Sequence, residues 1–121
     1  QDRDTTSSVE DIEFRSSLCV AYCQGCRLKV LPESFLKSSV DSLQYLLLSD
    51  NCLSSIPDII SNHKQLKWLY LYGNNLTQLP PGFLLGCEKL SRCLLEGNPL
   101  SGESAMALLR DARRCEDLRR P

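Results

Sequence analysis

The chain has 121 residues, of which 42% are hydrophobic and 24% are charged, and its formal net charge is −1. This length and apolar content predict one folded domain and argue against a disordered chain. So small a net charge gives no sign of the concentrated basic surface that nucleic-acid binding requires, and no apolar run reaches the roughly 18–20 residues that span a bilayer.

Residues 1–17 are predicted to form an arm and a cap. Gln1–Ser8 are polar, whereas Val9, Ile12 and Phe14 are apolar residues among polar ones. We expect these three side chains to cover the first element of the core that follows. The chain starts without Met and without an apolar signal segment, so we expect a processed product or a fragment of a longer protein.

Residues 18–101 contain four copies of one pattern, and the third copy reads L-x-x-L-x-L-x-x-N-x-L-x-x-L-P. The first four constrained positions are filled, copy by copy, by Leu18, Ala21, Cys23 and Cys26; by Leu43, Leu46, Leu48 and Asn51; by Leu66, Leu69, Leu71 and Asn74; and by Leu90, Cys93, Leu95 and Asn98. A Leu-Pro or Ile-Pro pair follows in the first three copies. An apolar residue comes three places after the proline of each pair, at Phe35, Ile60 and Phe83.

This pattern resembles the leucine-rich repeat family, in particular the kind with 23–24 residues per repeat and a Leu-Pro on the convex side. The resemblance implies an α/β solenoid, a short right-handed superhelix with a parallel β-sheet on the concave side and an irregular or 3₁₀ convex side. We expect each L-x-L to form a strand with its leucines inward, and each Asn to cap buried backbone groups of the following turn. Stacking of the copies is needed because one repeat cannot bury its own apolar face.

Residues 102–121 are predicted to form a C-terminal capping helix and a tail. Ser104 is the expected N-cap, and Met106 and Leu109, with Leu108, are expected to close the last repeat. The mixed charges up to Pro121 are predicted to be solvated.

Side chains alternate along a strand, so the residues that flank the inward ones should point into the concave face. The predicted outward columns are Val20, Tyr45, Trp68 and Arg92; Tyr22, Leu47, Tyr70 and Leu94; and Gln24, Ser49, Tyr72 and Glu96, with Asp50 beside the third column. All four tyrosines and the single tryptophan lie in these columns. Trp, Tyr and Arg dominate the energetics of many interfaces, which favours a binding surface; cross-strand packing of the rings is the other explanation.

These observations predict a non-enzymatic module that binds a protein or peptide partner on its concave aromatic face. The expected partner-binding residues are Val20, Tyr22, Tyr45, Leu47, Asp50, Trp68, Tyr70, Tyr72, Arg92, Leu94 and Glu96. We expect no cofactor, no metal and no small-molecule substrate. An alternative is a structural accessory subunit that is permanently embedded in a large multiprotein complex, for example in an organelle.

The seven cysteines give a second alternative, a cysteine-based metal or redox protein. Cys19, Cys23 and Cys26 have the C-x3-C-x2-C spacing of some iron–sulfur sites, and a zinc site would need a fourth ligand. The repeat pattern already assigns Cys23 and Cys26 to repeat positions, which favours packing. Disulfides stay open among Cys19, Cys52, Cys87 and Cys115.

The compartment is predicted from two features of the chain. An odd number of cysteines is unusual for a secreted disulfide framework. Secreted relatives in the family usually carry a cysteine-rich cap after the last Asn-Pro, whereas Asn98-Pro99 is followed here by Leu100-Ser101-Gly102. We therefore expect an intracellular location, either cytoplasmic or organellar.

His63, the single histidine, is expected to be a solvated loop residue rather than a catalytic one.

Overall fold

The structure is a computed structural model that describes residues 18–111, with side chains up to Leu108. The predicted arm and cap of residues 1–17, the side chain of Leu109 and the tail after Asp111, including Cys115, lie outside the described residues.

Four three-residue strands alternate with short helices along the described chain. The elements are β1 (Val20–Tyr22), α1 (Glu33–Ser38), β2 (Tyr45–Leu47), a 3₁₀ helix (Asp58–Asn62), β3 (Trp68–Tyr70), α2 (Phe83–Gly86), β4 (Arg92–Leu94) and α3 (Gly102–Asp111). The strands form one parallel sheet in the order β1-β2-β3-β4. Since sequential strands are neighbours, each helix between them returns the chain to the start of the next strand. The predicted solenoid is confirmed, and its convex side contains α1 and α2 as well as a 3₁₀ helix.

The core lies between the sheet and the convex helices. Each strand buries its central residue, and these residues pair across the sheet in the register Ala21, Leu46, Leu69 and Cys93. Phe35, Ile60 and Phe83 fill the core from the convex side. Pro32 and Pro57 directly precede α1 and the 3₁₀ helix. Because proline fixes φ and lacks an N–H, it suits the start of a helix, where N–H groups have no intrahelical acceptor.

An asparagine ladder joins the turns that follow the strands. Asn74 Nδ2 donates to the carbonyl of Leu71 in its own turn (2.9 Å) and to that of Leu48 in the preceding repeat (3.1 Å). Its Oδ1 accepts from the backbone N–H of Leu53 at 3.0 Å. The same combination of contacts within the turn and to the preceding repeat is made by Asn51 and Asn98. The predicted capping role of these side chains is confirmed.

Helix α3 covers the C-terminal end of the repeats with Leu108, one of the residues predicted from the sequence, whereas the predictions for Ser104 and Met106 are wrong. Ser101, not Ser104, is the capping residue, because its Oγ accepts from the N–H of Ser104 at 3.1 Å. Leu108 is buried, whereas Met106 is 65% exposed. The two side chains are two positions apart on a helix and therefore point in nearly opposite directions. No helix between residues 18 and 111 is long and apolar enough to cross a membrane.

Candidate functional site

The sheet register places the predicted outward residues in two straight columns on the concave face. The first column is Val20, Tyr45, Trp68 and Arg92, and the second is Tyr22, Leu47, Tyr70 and Leu94. Every one of these side chains flanks a buried residue on its own strand, so the alternation predicted from the repeat is the one observed. The structure thus brings these eight predicted site residues together on one surface.

Apolar side chains on this face remain accessible to solvent. Val20 is 46% exposed, Tyr22 61% and Trp68 38%. The residues Tyr45, Leu47, Tyr70 and Leu94 are half-buried. Accessible aromatic and aliphatic groups on adjacent strands are typical of a surface that meets another molecule.

The rings on the concave face contact one another in a chain that crosses from β2 to β3 and then follows β3 towards its carboxyl end. Tyr45 meets Trp68 edge to face, with ring centroids 4.9 Å apart. Trp68 stacks on Tyr70 at 6.0 Å, and Tyr70 contacts Tyr72 at 6.5 Å. Such contacts are favourable in themselves, so packing accounts for part of the placement of the rings. They also orient the exposed ring faces before any partner binds.

Arg92 lies at the end of the first column, next to the tryptophan. Its guanidinium carbon is 5.6 Å from the Trp68 ring centroid, and its Nη1 donates to the Tyr70 hydroxyl at 3.3 Å. A guanidinium over an aromatic face is held by cation–π attraction. Arg92 therefore supplies a positioned cation at the amino ends of the strands.

The third column differs from the prediction at Ser49, which is buried rather than outward. Gln24 and Tyr72 flank Ser49 in the neighbouring repeats, and Gln24 Nε2 donates to the Tyr72 hydroxyl at 3.4 Å. The same Nε2 donates to Asp50 Oδ2 at 3.3 Å. Since Gln24 and Tyr72 lie at the Ser49 position of the neighbouring repeats, their hydrogen bond spans the strand position that Ser49 occupies. Ser49 Oγ has no hydrogen-bond partner.

Asp50 is exposed and has a left-handed backbone, with φ of 58°. The corresponding positions of the other three repeats are Gly25, Gly73 and Gly97, all with positive φ. Asp tolerates this conformation better than most residues but less well than Gly. The sequence predicted that Asp50 lies on the rim of the face. The three glycines at the same repeat position also indicate, from sequence alone, that Asp50 has a left-handed backbone.

His63 was predicted to be solvated, and this prediction is wrong. The side chain is fully buried, with Nδ1 3.0 Å from the carbonyl oxygen of Ile59 and Nε2 3.4 Å from Ser39 Oγ. Burial lowers the pKa of His63 below its usual value. Ser39 is buried as well, so this serine–histidine pair is closed to any substrate.

The cysteines of the first repeat lie in different environments. Cys23 is buried as an inward residue of the repeat, Cys26 is half-buried and Cys19 is exposed. Burial, with a contribution from Cys26, raises the pKa of Cys23 to about 12, so its thiol is protonated at neutral pH. Residues 18–108 contain no disulfide, and no three His, Cys, Asp or Glu side chains in this range are grouped to hold a metal ion.

Two comparisons with known proteins agree with this architecture. The family model described as leucine rich repeat matches residues 24–76. The solved structure of a leucine-rich repeat protein from Leptospira interrogans is similar, with a TM-score of 0.73 and 30% sequence identity over 81% of this chain. The match covers 24% of that protein, so this chain spans about a quarter of its length. The chain has the repeat architecture of the leucine-rich repeat family, whose members are generally non-catalytic modules that bind other proteins.

Proposed function

We propose that this chain is a non-catalytic interaction module that binds a protein or peptide partner on its concave aromatic face. The observation that carries the proposal is the continuous row of ring contacts from Tyr45 through Trp68 and Tyr70 to Tyr72 on the outward side of the sheet. Large aromatic side chains contribute more to interface energetics than most other residues do.

The arrangement of the rings reduces the cost of binding. Each ring is held by a neighbouring ring, and the strands beneath them are paired in a fixed register. A partner would therefore immobilise few additional rotatable bonds, and more of the energy from ring burial would remain as affinity. Val20, Leu47 and Leu94 extend the apolar surface on both sides of the rings.

The charged residues of the face support a role in orientation. Arg92 lies at the amino ends of the strands, and Asp50 and Glu96 lie beyond their carboxyl ends. Charges at the rim of an interface mainly set the association rate and the register of the partner, whereas the buried rings set the affinity.

Site-specific photocrosslinking tests which face is used. A photoreactive benzoylphenylalanine replaces Tyr22 on the concave face, which is 61% exposed, or Leu85 in convex helix α2, which is 60% exposed. The two positions are matched in exposure, so random collisions should label them alike. In a native extract, we expect the concave probe to form a discrete adduct that the convex probe does not form.

The adducts also separate the proposal from its rivals. A specific adduct from the Leu85 position alone would contradict the concave face as the binding surface. Strong adducts from both positions would indicate a subunit that is surrounded by its partners in a larger assembly.

A further inference from the structure

A shallow pocket lies at the carboxyl ends of β3 and β4, next to the aromatic rings. It has a volume of about 500 Å³ and is lined by Tyr72, Gly73, Leu94, Glu96 and Gly97. Tyr72 and Leu94 provide apolar walls, and Glu96 provides a carboxylate. The pocket is therefore suited to a side chain with an apolar stem and a charged end.

Two glycines form the floor of this pocket. Gly73 and Gly97 have φ of 73° and 75°, and the N–H of Gly73 donates to the Glu96 carbonyl at 2.9 Å. A Cβ added to Gly97 would lie 3.2 Å from the Gly73 nitrogen, and one added to Gly73 would collide with Asp50 Oδ1. The floor is thus bare backbone, and the Asp50 carboxylate reaches its edge.

Neither carboxylate near the pocket has a cationic partner within the described residues. The ion pair found between residues 18 and 108 joins Lys64 to Glu88, away from this face. Asp50 accepts from the neutral amide of Gln24, and Glu96 is exposed. Asp50 lies two repeats from Gly97, the residue after Glu96, which corresponds to two strand spacings of about 4.8 Å each. A cation above Gly73 would therefore lie between them.

The opposite edge of the face has the opposite charge. Arg92 begins β4, and the exposed Lys67 precedes β3. Cationic residues thus lie at the amino ends of β3 and β4, whereas the carboxylates of Asp50 and Glu96 lie beyond the carboxyl ends of β2 and β4. Charge complementarity fixes where a cationic group of a partner would be accepted and where it would be repelled.

Building on the function proposed above, we propose that this pocket receives a lysine or arginine side chain of the partner. The methylene groups of that side chain pack against Tyr72 and Leu94, and its cationic end lies between Glu96 and Asp50. Long basic side chains bury their stems on apolar surfaces while their charged ends remain near water and carboxylates.

The test uses random peptides displayed on phage and selected on the immobilised full chain. We expect the enriched peptides to share a lysine or arginine beside apolar residues. One such peptide is then synthesised in two forms, with the basic residue intact or replaced by a neutral analogue, acetyl-lysine or citrulline. Affinities are measured for both forms on the natural chain, on Glu96→Gln and on Glu33→Gln, which removes another exposed carboxylate from convex helix α1.

On the natural chain and on Glu33→Gln, we expect neutralisation of the peptide to weaken binding about threefold to tenfold. On Glu96→Gln, the two peptide forms should bind almost equally. This difference should shrink at high salt, because screening weakens exposed charge pairs.

Two other outcomes overturn the proposals separately. In the first, the peptides require Trp68, but the preference for the basic over the neutralised form is the same on the natural chain and on Glu96→Gln. This result would refute the pocket for a basic side chain and would leave the aromatic binding face supported. In the second, the peptides bind Trp68→Ala as tightly as the natural chain, or no peptide is enriched on the natural chain relative to Trp68→Ala. Either result would refute both the aromatic binding face and the pocket for a basic side chain.

Discussion

Ser39 and His63 occupy the same position of consecutive repeats, 24 residues apart, and their side chains meet at 3.4 Å. Each residue directly follows a convex helix, and Cys87 follows α2 in the same way another 24 residues later. All three are buried, and Cys87 Sγ donates to the carbonyl of Ile60 at 3.2 Å. The return turns of the solenoid are therefore closed by a row of small or neutral polar groups.

The burial of His63 predicts a loss of stability in mild acid. In the folded state, burial favours the neutral ring and lowers the pKa of His63, whereas a histidine in the unfolded chain has a pKa of about 6.5. The unfolded state therefore binds more protons, so the stabilisation is complete above about pH 6.5 and declines as the pH falls below it. The slope should approach, at most, about 1.4 kcal/mol per pH unit. Urea unfolding at about pH 7.5 and about pH 5.5 measures it.

The control for this pH effect is His63→Gln, since the chain has no other histidine. The variant should be less stable at neutral pH, and its free energy of unfolding should change little over the same pH range. An equally steep decline in His63→Gln would show that the acid sensitivity comes from another group.

Removing one rung of the asparagine ladder should be costly. Asn74→Ala leaves the buried N–H of Leu53 without its acceptor, while the carbonyls of Leu48 and Leu71 keep their bonds from Asn51 and Asn98. We expect a loss of about 2–3 kcal/mol in the free energy of unfolding. Asn75→Ala, at the exposed neighbouring position, should change it by less than about 0.5 kcal/mol. Similar effects of both substitutions would contradict the ladder as a source of stability.

The unpartnered hydroxyl of Ser49 predicts a stabilising substitution. Ser49→Ala removes a buried polar atom that makes no hydrogen bond, and we expect the free energy of unfolding to rise by about 1 kcal/mol. Ser39→Ala should act in the opposite direction, because it removes a hydroxyl that contacts His63. Destabilisation by Ser49→Ala in the same urea series would mean that the hydroxyl has a partner in solution.

Asp50 predicts a conflict between stability and binding. Asp50→Gly places glycine where three other repeats already have it, and we expect a gain of about 0.5–1 kcal/mol in the free energy of unfolding. The same substitution should weaken the basic peptide described above, because it removes a carboxylate beside the pocket. Asp50→Asn should weaken the peptide as well but leave stability nearly unchanged. Unchanged peptide affinity in both variants would remove Asp50 from the site.

The sheet and its outward columns could be predicted because aligning the repeats determines which residues pair on adjacent strands. Once Leu46 and Leu69 are aligned as inward residues, alternation along each strand places Tyr45, Trp68 and Tyr70 outside. The contacts among the rings do not follow from the alignment, because they depend on side-chain rotamers. The repeat pattern alone thus predicted the surface and left open how the rings would be oriented on it.

Other positions were mispredicted because a neighbouring side chain or a local hydrogen bond decides them. Ser49 is fully buried although it lies in a predicted outward column, and alternation along its own strand holds no information about the Gln24–Tyr72 hydrogen bond that spans its position. Met106 and Leu108 lie on different sides of α3, and their helix starts earlier than expected because Ser101 caps it. His63 was detectable only by its 24-residue spacing from Ser39 and Cys87.

The most direct measurement uses the partner that photocrosslinking identifies. Its affinity for the Trp68→Ala variant is determined by titration calorimetry, with Leu85→Ala as the control variant. Circular dichroism and urea unfolding should show both variants folded. We predict that Trp68→Ala binds weaker by about 2 kcal/mol or more, roughly thirtyfold, and that Leu85→Ala binds like the natural chain. Equal affinity of the natural chain and a folded Trp68→Ala would contradict the concave aromatic face as the binding surface.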